Sequence, residues 1–266
     1  MPGLLELTEY HKPTSIEAAL ELLRRPQIHS VLIAGGTSVV AAADHAVQAV
    51  IDLSNLNLAY IKSTEQGVKI GATTTLQQIL NDRIICDYAD GVLSKAILDT
   101  ATLNTRNAAS IAGSIVASKG NSPLFTVLLA IDTHLSIRGE RTQHVALSEW
   151  AGDDKTLIVE IVLPLVAQGC HFAYEKVART PTDLPIVCVA VCATASRESI
   201  SGTRIAIGGV GDRPMVLTQP VNSIEQAVEL ARESIEPSTD YFASGEYRRE
   251  MIGVLVKRTL ENISHF

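Results

Sequence analysis

The pattern of secondary structure changes near residue 170, and this change limits the fold more than any other feature of the sequence. Before it, segments with helical periodicity alternate with short apolar runs that are typical of strands. After it come three β-rich runs, HFAYEKVA, PIVCVAVCATAS and TRIAIGGVG, and then two helical segments. This order predicts an α/β half followed by a small α+β domain whose three strands form an antiparallel sheet.

The first half contains two predicted α/β units. Thr14-Ser15-Ile16-Glu17 fits a capping box, so we expect a helix from about residue 15 to 25, followed by strands in SVLIAGG and AVIDL. The second unit begins with the strand VKIGA and continues with helices in TTTLQQILND and GVLSKAILDTA. Residues 103–122 have no apolar face and predict an ordered loop. A helix in PLFTVLLAID, with Pro123 in its first turn, and strands in HLSIRG and TLIVEIVLP then complete this half.

Composition and charge exclude several classes of function. Apolar residues make up 46% of the 266 residues, and the net charge of −7 is spread along the chain without a basic block. A nucleic-acid partner is therefore not expected, because phosphate backbones are bound by clustered lysine and arginine. No apolar run approaches about 18 residues, and the first residues lack the layout of a secretory signal. These features predict a cytoplasmic protein without membrane insertion.

The cysteines and histidines predict neither a metal site nor a catalytic residue. Cys86, Cys170, Cys188 and Cys192 form no C-x-x-C pair and have no histidine at a metal-ligand spacing. Cys188 and Cys192 lie in the apolar run PIVCVAVCATA, which favours buried, reduced thiols. The G-x-S-x-G and H-E-x-x-H motifs are absent, and the seven histidines are scattered as single residues. The sequence therefore does not indicate a hydrolase.

Two segments of small residues are candidates for binding an anion. In LIAGGTSVV, residues 32–40, Gly35 and Gly36 remove side chains where a strand ends, which can expose the N–H groups that follow. This segment matches neither the dinucleotide-binding G-x-G-x-x-G nor a P-loop, so a plain turn is the alternative. The second segment, ASIAGSIVAS, could approach a diphosphate from another side or could serve only for close packing.

Taken in order, several motifs resemble the FAD-binding medium subunit of the molybdenum hydroxylases, the xanthine dehydrogenase and carbon monoxide dehydrogenase group. LIAGGTSVV is similar to the family's A-G-G-T-x-L diphosphate loop, and VKIGATTTL to its I-G-A-x-x-x-L segment. TRNAASIAGSI is similar to its I-R-N-x-x-T-I-G-G-x-I loop. VLLAID, TLIVEIVLP, YEKVAR and IGGVGDRP follow in the family's order, so the resemblance covers nearly the whole chain.

The resemblance implies an α+β fold and FAD as the cofactor. It implies a FAD-binding domain at 1–168, with subdomains of about 1–58 and 59–168, and a C-terminal domain at 169–266 with a three-stranded antiparallel sheet and helices. It places the diphosphate against the backbone of the first loop, at Ala34, Gly35, Gly36, Thr37 and Ser38, with Ile33 and Val39 alongside. The residues that match the family's second loop are Thr105, Ala109, Ser110, Gly113 and Ser114. The residues that it assigns to the surroundings of the flavin ring are Ala101, Leu157 and Lys176.

The implied function is that of an oxidoreductase subunit. It would pass electrons between iron–sulfur clusters of a partner and an external acceptor such as NAD, while a molybdopterin subunit hydroxylates a purine or another heterocycle. A non-catalytic scaffold of the same fold is the alternative, and an independent NAD-dependent enzyme lacks its fingerprint. Three departures bear on this choice: Ala112 replaces the usual glycine, Pro123 replaces a cofactor-binding aspartate, and Val31 replaces a lysine of some members. Alanine at 112 is unfavourable if that position requires a positive φ.

Overall fold

The computed structural model of the chain describes residues 7–42, 44–195 and 200–264. The strands in these ranges are β1 (Glu9–His11), β2 (Ser30–Ile33), β3 (Ala49–Asp52), β4 (Ile61–Thr64), β5 (Gly67–Gly71), β6 (His134–Arg138), β7 (Thr142–Ala146), β8 (Leu157–Pro164), β9 (Cys170–Val177), β10 (Val187–Ala195), β11 (Ile200–Gly208) and β12 (Met215–Leu217). The α-helices are α1 (Ile16–Leu23), α2 (Val39–Ala42), α3 (Leu76–Asn81), α4 (Arg83–Cys86), α5 (Val92–Thr100), α6 (Leu103–Ala108), α7 (Ile111–Val116), α8 (Pro123–Ala130), α9 (Ile224–Glu233) and α10 (Gly245–Ser264).

The chain forms two compact units that are not continuous in sequence. The first unit contains the chain up to Asp82, Thr102–Ala117 and His134–Leu163. The second unit contains Arg83–Ala101, Ser118–Thr133 and the chain from Pro164 onward. Two helical segments from the first half of the sequence, which include α5 and α8, therefore pack with the C-terminal sheet.

A three-stranded parallel sheet opens the first unit. Its strand order is β1-β3-β2, and the central strand β3 is buried along its whole length. Helix α1 covers this sheet with its apolar face, and Ala19, Leu20 and Leu23 join Ile51 in one hydrophobic cluster. The predicted helix and both predicted strands of this unit are confirmed.

The predicted capping box at the start of α1 is wrong by one residue. The N-cap is Ser15, whose extended backbone lets its hydroxyl accept the Ala18 N–H at 3.1 Å. Since the third helical residue is then Ala18, no carboxylate returns the bond, and Glu17 is an acidic residue of the first turn only. A complete capping box occurs instead at the start of α3, between Thr75 and Gln78.

A five-stranded sheet with the order β4-β5-β8-β6-β7 completes the first unit. The ordered loop predicted for 103–122 is wrong, because the structure forms α6 and α7 there and begins α8 at Pro123. Both short helices have hydroxyl N-caps, Thr102 for α6 and Ser110 for α7, that each accept a backbone N–H of the first turn. These caps stabilise helices of six residues that have too few apolar positions to show helical periodicity.

The second unit is built on a four-stranded antiparallel sheet with the order β12-β11-β10-β9. Strands β9, β10 and β11 are the three predicted strands, and the α+β fold class is confirmed. The fourth strand, β12, has only three residues, which is too short for an alternating pattern to be recognised in the sequence.

Helices cover both faces of this sheet. Val187, Val189 and Val191 of β10 share a hydrophobic cluster with apolar residues of α9 and α10. On the opposite face, the Cys188 thiol lies 3.4 Å from the Thr126 hydroxyl of α8. All eight residues of α8 are buried, which explains why this helix is apolar all round.

Helix α10 is a long surface helix and is amphipathic. It buries Ile252, Leu255 and Val256 against the sheet, and it has charged residues on its exposed side. Arg248 in its first turn is 5% exposed and donates to the Ile186 carbonyl at 2.6 Å and to both carboxylate oxygens of Asp240 at 2.7 Å. No helix in the described ranges is both long enough and apolar enough to cross a membrane.

Candidate functional site

The first glycine-containing loop connects β2 to the short helix α2. It lies at the carboxyl end of a parallel strand, which is where ligands bind in open α/β sheets. Gly36 has a φ of +70°, a conformation that favours glycine, and its carbonyl accepts the Val40 N–H at 3.0 Å. The seven predicted residues therefore run from the last residue of β2, Ile33, through a turn to the first residue of α2, Val39, all in the first unit.

Three consecutive N–H groups of this loop are available to a ligand. In the part of the chain that the structure describes, the N–H groups of Gly36, Thr37 and Ser38 donate no hydrogen bond to the protein. The Thr37 hydroxyl also forms no hydrogen bond within the described part of the chain. Successive free N–H groups beside a positive-φ residue form a concave site that suits an anion. The geometry therefore favours a phosphate-binding loop over a plain turn without a ligand.

Gly35 brings the two small-residue segments into contact. A Cβ atom at Gly35 would lie 1.7 Å from the carbonyl oxygen of Ala108 and 2.4 Å from its carbonyl carbon. Real Cβ atoms do not approach oxygen so closely, so only glycine permits this packing. The end of α6 therefore supports the first loop directly.

The second segment, unlike the first, uses its own N–H groups within the protein. The Ile111 N–H donates to the Thr74 carbonyl at 3.0 Å, and the Ala112 N–H donates to the Ala72 carbonyl at 3.2 Å. These bonds attach α7 to the residues that directly follow β5. The motif VKIGATTTL therefore has a structural role here, because it holds the second segment in place.

Ser110 uses its side chain to cap α7. Its hydroxyl accepts the Gly113 N–H at 3.2 Å, and its carbonyl accepts the Ser114 hydroxyl at 2.9 Å. Ser110 and Ala109 are 4% and 7% exposed, while Thr105, Gly113 and Ser114 retain more exposed surface. The second segment can therefore form a wall of small residues beside a ligand, but it offers few free donors.

Ala112 is compatible with the backbone at its position. It lies inside α7 and is absent from the described non-glycine residues with positive φ. Its methyl group packs against the hydrophobic cluster that contains Leu20 and Ile51. The usual glycine of the family is therefore not required here by φ, and alanine carries no backbone strain.

The predicted ring-side residues belong to both units. Leu157 begins β8 in the first unit and is 3% exposed, because it packs in the core with Ala19 and Leu20. Ala101 and Lys176 belong to the second unit. Ala101 follows α5 in an extended conformation and is half-buried.

Lys176 is held by two partners in the second unit. Its ammonium group lies 2.9 Å from the Asp99 carboxylate of α5 and donates to the Pro181 carbonyl at 2.9 Å. Asp99 and Ala108 are the two residues near predicted positions that the sequence did not indicate. Asp99 lies outside the quoted motifs and Ala108 occupies a variable position of one, and both make contacts to residues more than 70 positions away, so no local pattern could reveal these contacts.

The other two departures from the family motifs have structural explanations. Pro123 is the first residue of α8, where proline is favoured, and its side chain is buried. Ser122 caps the same helix by accepting the Phe125 N–H at 3.3 Å. Val31 is an apolar residue of β2 opposite Val50.

Within the described ranges, no group of three or more histidine, cysteine, aspartate or glutamate side chains is placed to hold a metal ion.

Comparison with protein families decides the identity of the fold. The model described as the FAD binding domain in molybdopterin dehydrogenase matches residues 6–166. The model described as the CO dehydrogenase flavoprotein C-terminal domain matches residues 172–263. The chain belongs to the family of FAD-binding medium subunits of the molybdenum hydroxylases. It is therefore a subunit of an oxidoreductase and contains the family's FAD-binding domain.

Curated relatives match over nearly their whole length. The uncharacterized protein YgfM of Escherichia coli strain K12 is 31% identical over 257 residues, which cover 94% of each chain. The carbon monoxide dehydrogenase medium chain of Hydrogenophaga pseudoflava is 27% identical over 278 residues, 95% of each chain. The xanthine dehydrogenase FAD-binding subunit of Escherichia coli O157:H7 is 24% identical over 285 residues, 97% of this chain and 96% of the relative.

Solved structures share the fold. A chain of the carbon monoxide dehydrogenase from Hydrogenophaga pseudoflava that lacks the Mo-pyranopterin moiety of its cofactor aligns with a TM-score of 0.86 and 25% identity. The alignment covers 96% of both chains. A chain of quinoline 2-oxidoreductase from Pseudomonas putida 86 aligns with a TM-score of 0.84 and 19% identity over 96% of both chains.

The contact between Gly35 and Ala108 predicts a specific loss of stability. We expect Gly35→Ala to lower the free energy of unfolding by about 2–3 kcal/mol, because the methyl group would overlap a backbone carbonyl that cannot move aside by a rotamer change. Gly211→Ala is the matched control, since a Cβ at Gly211 meets nothing within 4 Å. Urea unfolding followed by circular dichroism measures both changes, and equal midpoints for the two variants would contradict the close approach.

The helical position of Ala112 makes a second prediction. Restoring the family's glycine with Ala112→Gly should lower the free energy of unfolding by about 1 kcal/mol, because glycine is a poorer helix former and leaves the core contact empty. Ala18→Gly in α1 gives the ordinary helical cost for comparison. If urea unfolding shows that Ala112→Gly is more stable than the parent, position 112 must adopt a backbone conformation that disfavours alanine.

Proposed function

We propose that this medium subunit binds FAD and passes electrons between the iron–sulfur clusters of a partner subunit and an external acceptor. The observation that carries the proposal is the set of three consecutive N–H groups at Gly36, Thr37 and Ser38, which have no partner in the described part of the chain. They occur in the loop that matches the family's diphosphate motif, so the geometry and the motif support the same assignment.

The first loop would hold the cofactor by its diphosphate. When bound, FAD supplies the redox chemistry through its isoalloxazine ring, and the protein supplies position and electrostatics. The N–H groups of Gly36 to Ser38 and the Thr37 hydroxyl would donate to phosphate oxygens, at about 1.5–3 kcal/mol for each charge-assisted bond. Such donors can hold a diphosphate without a lysine, which is consistent with valine at position 31.

The remaining predicted residues complete the proposal. Thr105, Ala109, Ser110, Gly113 and Ser114 would form the small-residue wall beside the diphosphate, with the loop kept in place by the contact between Gly35 and Ala108. The resemblance also assigns Ala101, Leu157 and Lys176 to the surroundings of the ring. Asp99 would fix the direction of the Lys176 ammonium through their 2.9 Å ion pair.

The substrate of the complex is proposed only as a class. Matching relatives are named for nicotine and xanthine, which are nitrogen heterocycles, and also for glyceraldehyde and carbon monoxide. We favour a purine or another heterocycle, hydroxylated on a molybdopterin subunit. NAD is one candidate for the external acceptor.

The domain boundaries, and the function of each domain, are also proposals. We assign FAD binding to residues 1–168, with subdomains of about 1–58 and 59–168, and assign residues 169–266 to the C-terminal domain. The family models that match 6–166 and 172–263 support this boundary. We propose the cytoplasm as the location, which agrees with the four free cysteines.

A non-catalytic scaffold is the second candidate function. The buried Pro123 favours it, because proline cannot supply the carboxylate that many members use at this position. Ala112 no longer favours it, since alanine is unstrained inside α7. A scaffold would keep the fold and the partner subunits, and it would not retain FAD.

FAD binding can be tested at two residues of the first loop. Thr37→Val keeps the shape of the side chain but removes its hydroxyl, so we expect FAD to bind about 10- to 150-fold more weakly, the loss of one bond to a charged group. Gly36→Val places a β-branched residue at a φ of +70° and should abolish flavin retention. The measurements are the visible absorption of the purified proteins and calorimetric titration with FAD.

Thr218→Val is the matched control for the hydroxyl, because Thr218 is exposed and lies far along the sequence from the loop. It should bind FAD like the parent. Thermal unfolding of each variant separates loss of binding from loss of fold. A parent that is folded and yet fails to bind FAD in the presence of its partners would leave the scaffold as the surviving function. FAD binding that is unaffected by Thr37→Val and Gly36→Val would place the cofactor elsewhere.

The partner subunits give an independent test. Tagged protein purified from its native host should bring down iron and molybdenum in fixed proportion, whereas the chain expressed alone should contain neither metal. Metal analysis by mass spectrometry measures both samples. The isolated chain should also be unable to hydroxylate a heterocycle, since that reaction belongs to the molybdopterin subunit. A lone, metal-free chain that oxidises its own substrate would refute the assignment to a complex.

A further inference from the structure

Cys170 and Cys192 form a close pair in the second unit. Cys170 is the first residue of β9, and Cys192 lies in the neighbouring antiparallel strand β10. In the strand register Cys170 is opposite Thr194 and Cys192 is opposite Phe172, so the two cysteines are diagonal neighbours on one face of the sheet. Their sulfur atoms are 2.6 Å apart although the residues are 22 positions apart in sequence.

The other two cysteines have different surroundings. Cys188 is completely buried against α8, where burial raises the pKa of its thiol to about 12. Cys86 is exposed. The four free thiols of the chain thus consist of one facing pair, one inert buried thiol and one surface thiol.

We propose that Cys170 and Cys192 are a redox-active pair that forms a reversible intramolecular disulfide when the protein meets a peroxide. A disulfide needs its sulfur atoms about 2.05 Å apart, so the thiols have to move only slightly to form it. The site does not depend on FAD binding, because both cysteines belong to the C-terminal sheet and neither is among the residues assigned to the cofactor.

The two thiols are not equivalent. The two thiols share a hydrogen bond, which lowers the pKa of Cys170 and raises the pKa of Cys192. Cys170 is also the more accessible, being half-buried, while Cys192 is 9% exposed. Cys170 is therefore the thiol that a small oxidant reaches and that ionises first.

Charged neighbours surround the pair. The Asp90 carboxylate accepts the Phe172 N–H at 2.7 Å and opposes the negative charge of the Cys170 thiolate. Arg204, opposite Cys192 on β11 and paired with Asp132, favours a thiolate at Cys192. Both of these influences favour a thiolate at Cys192 over one at Cys170, so the assignment of Cys170 as the first sulfur to react rests on the hydrogen bond between the thiols and on its greater exposure.

The reaction is balanced with hydrogen peroxide as the oxidant. The Cys170 thiolate attacks one peroxide oxygen, the O–O bond breaks, and hydroxide leaves as Cys170 becomes a sulfenic acid. The Cys192 sulfur then attacks the Cys170 sulfur, the S–S bond forms, and the sulfenic oxygen leaves with a proton as water. Two thiols and one peroxide give one disulfide and two waters, and two electrons pass from sulfur to oxygen.

The test uses the full chain with Cys86→Ser, which removes the surface thiol. After treatment with hydrogen peroxide and alkylation of the remaining thiols, we expect the count of free thiols to fall from three to one. Peptide mass spectrometry should identify a Cys170–Cys192 link, and a reductant should restore all three thiols. The oxidised protein should unfold about 5–10 °C higher than the reduced protein, because the new bond constrains the unfolded chain.

Single substitutions distinguish this pair from general oxidation. With Cys192→Ser, peroxide should leave a sulfenic acid on Cys170 that dimedone traps. With Cys170→Ser, Cys192 should remain a thiol, and neither variant should show the rise in unfolding temperature. Retention of all three thiols by the Cys86→Ser protein, oxidation to sulfonic acids without a link, or a link between two chains would each overturn the proposal.

Discussion

The contact between Gly35 and the Ala108 carbonyl is the constraint on which the candidate site depends. It joins a loop that follows a parallel strand to the end of a helix more than 70 residues later, and it leaves no room for a side chain. On one side this contact sets the direction in which the chain leaves β2. On the other, Gly36 turns with a positive φ and its carbonyl accepts the Val40 N–H, which begins α2. The free N–H groups between these two anchors are therefore held in position before any ligand arrives.

The two small-residue segments have different physical roles despite their similar composition. The first leaves its N–H groups free, while the second donates Ile111 and Ala112 N–H groups to carbonyls that follow β5. A buried or half-buried N–H group that lacks a hydrogen-bond partner is costly. The second segment avoids this cost by bonding its N–H groups within the protein, whereas the first segment leaves its N–H groups for a ligand. The first segment can bind a ligand because the second segment holds it in a fixed position.

Much of the architecture could be predicted because it depends on local patterns. The alternation in HFAYEKVA and the helical periodicity after Thr14 are visible within about ten residues, and the order of family motifs gave the α+β class and the candidate loop. Helices α6 and α7 could not be predicted, since their stability comes from hydroxyl caps and tertiary bonds. The contacts of Gly35 with Ala108 and of Lys176 with Asp99 were equally hidden, because each joins residues that are distant in sequence.

The departures from the family motifs differ in their physical consequences. Ala112 continues a helix and packs on the core, so the change from glycine removes backbone freedom that α7 does not use. Pro123 begins a helix that is buried along its whole length, and its ring requires no hydrogen-bond partner. An aspartate there would be a buried carboxylate, stable only if a donor faced it. Proline at this position gives the chain a stable helix start without a carboxylate, so under the proposed function the N–H groups of the first loop carry a larger share of the diphosphate binding.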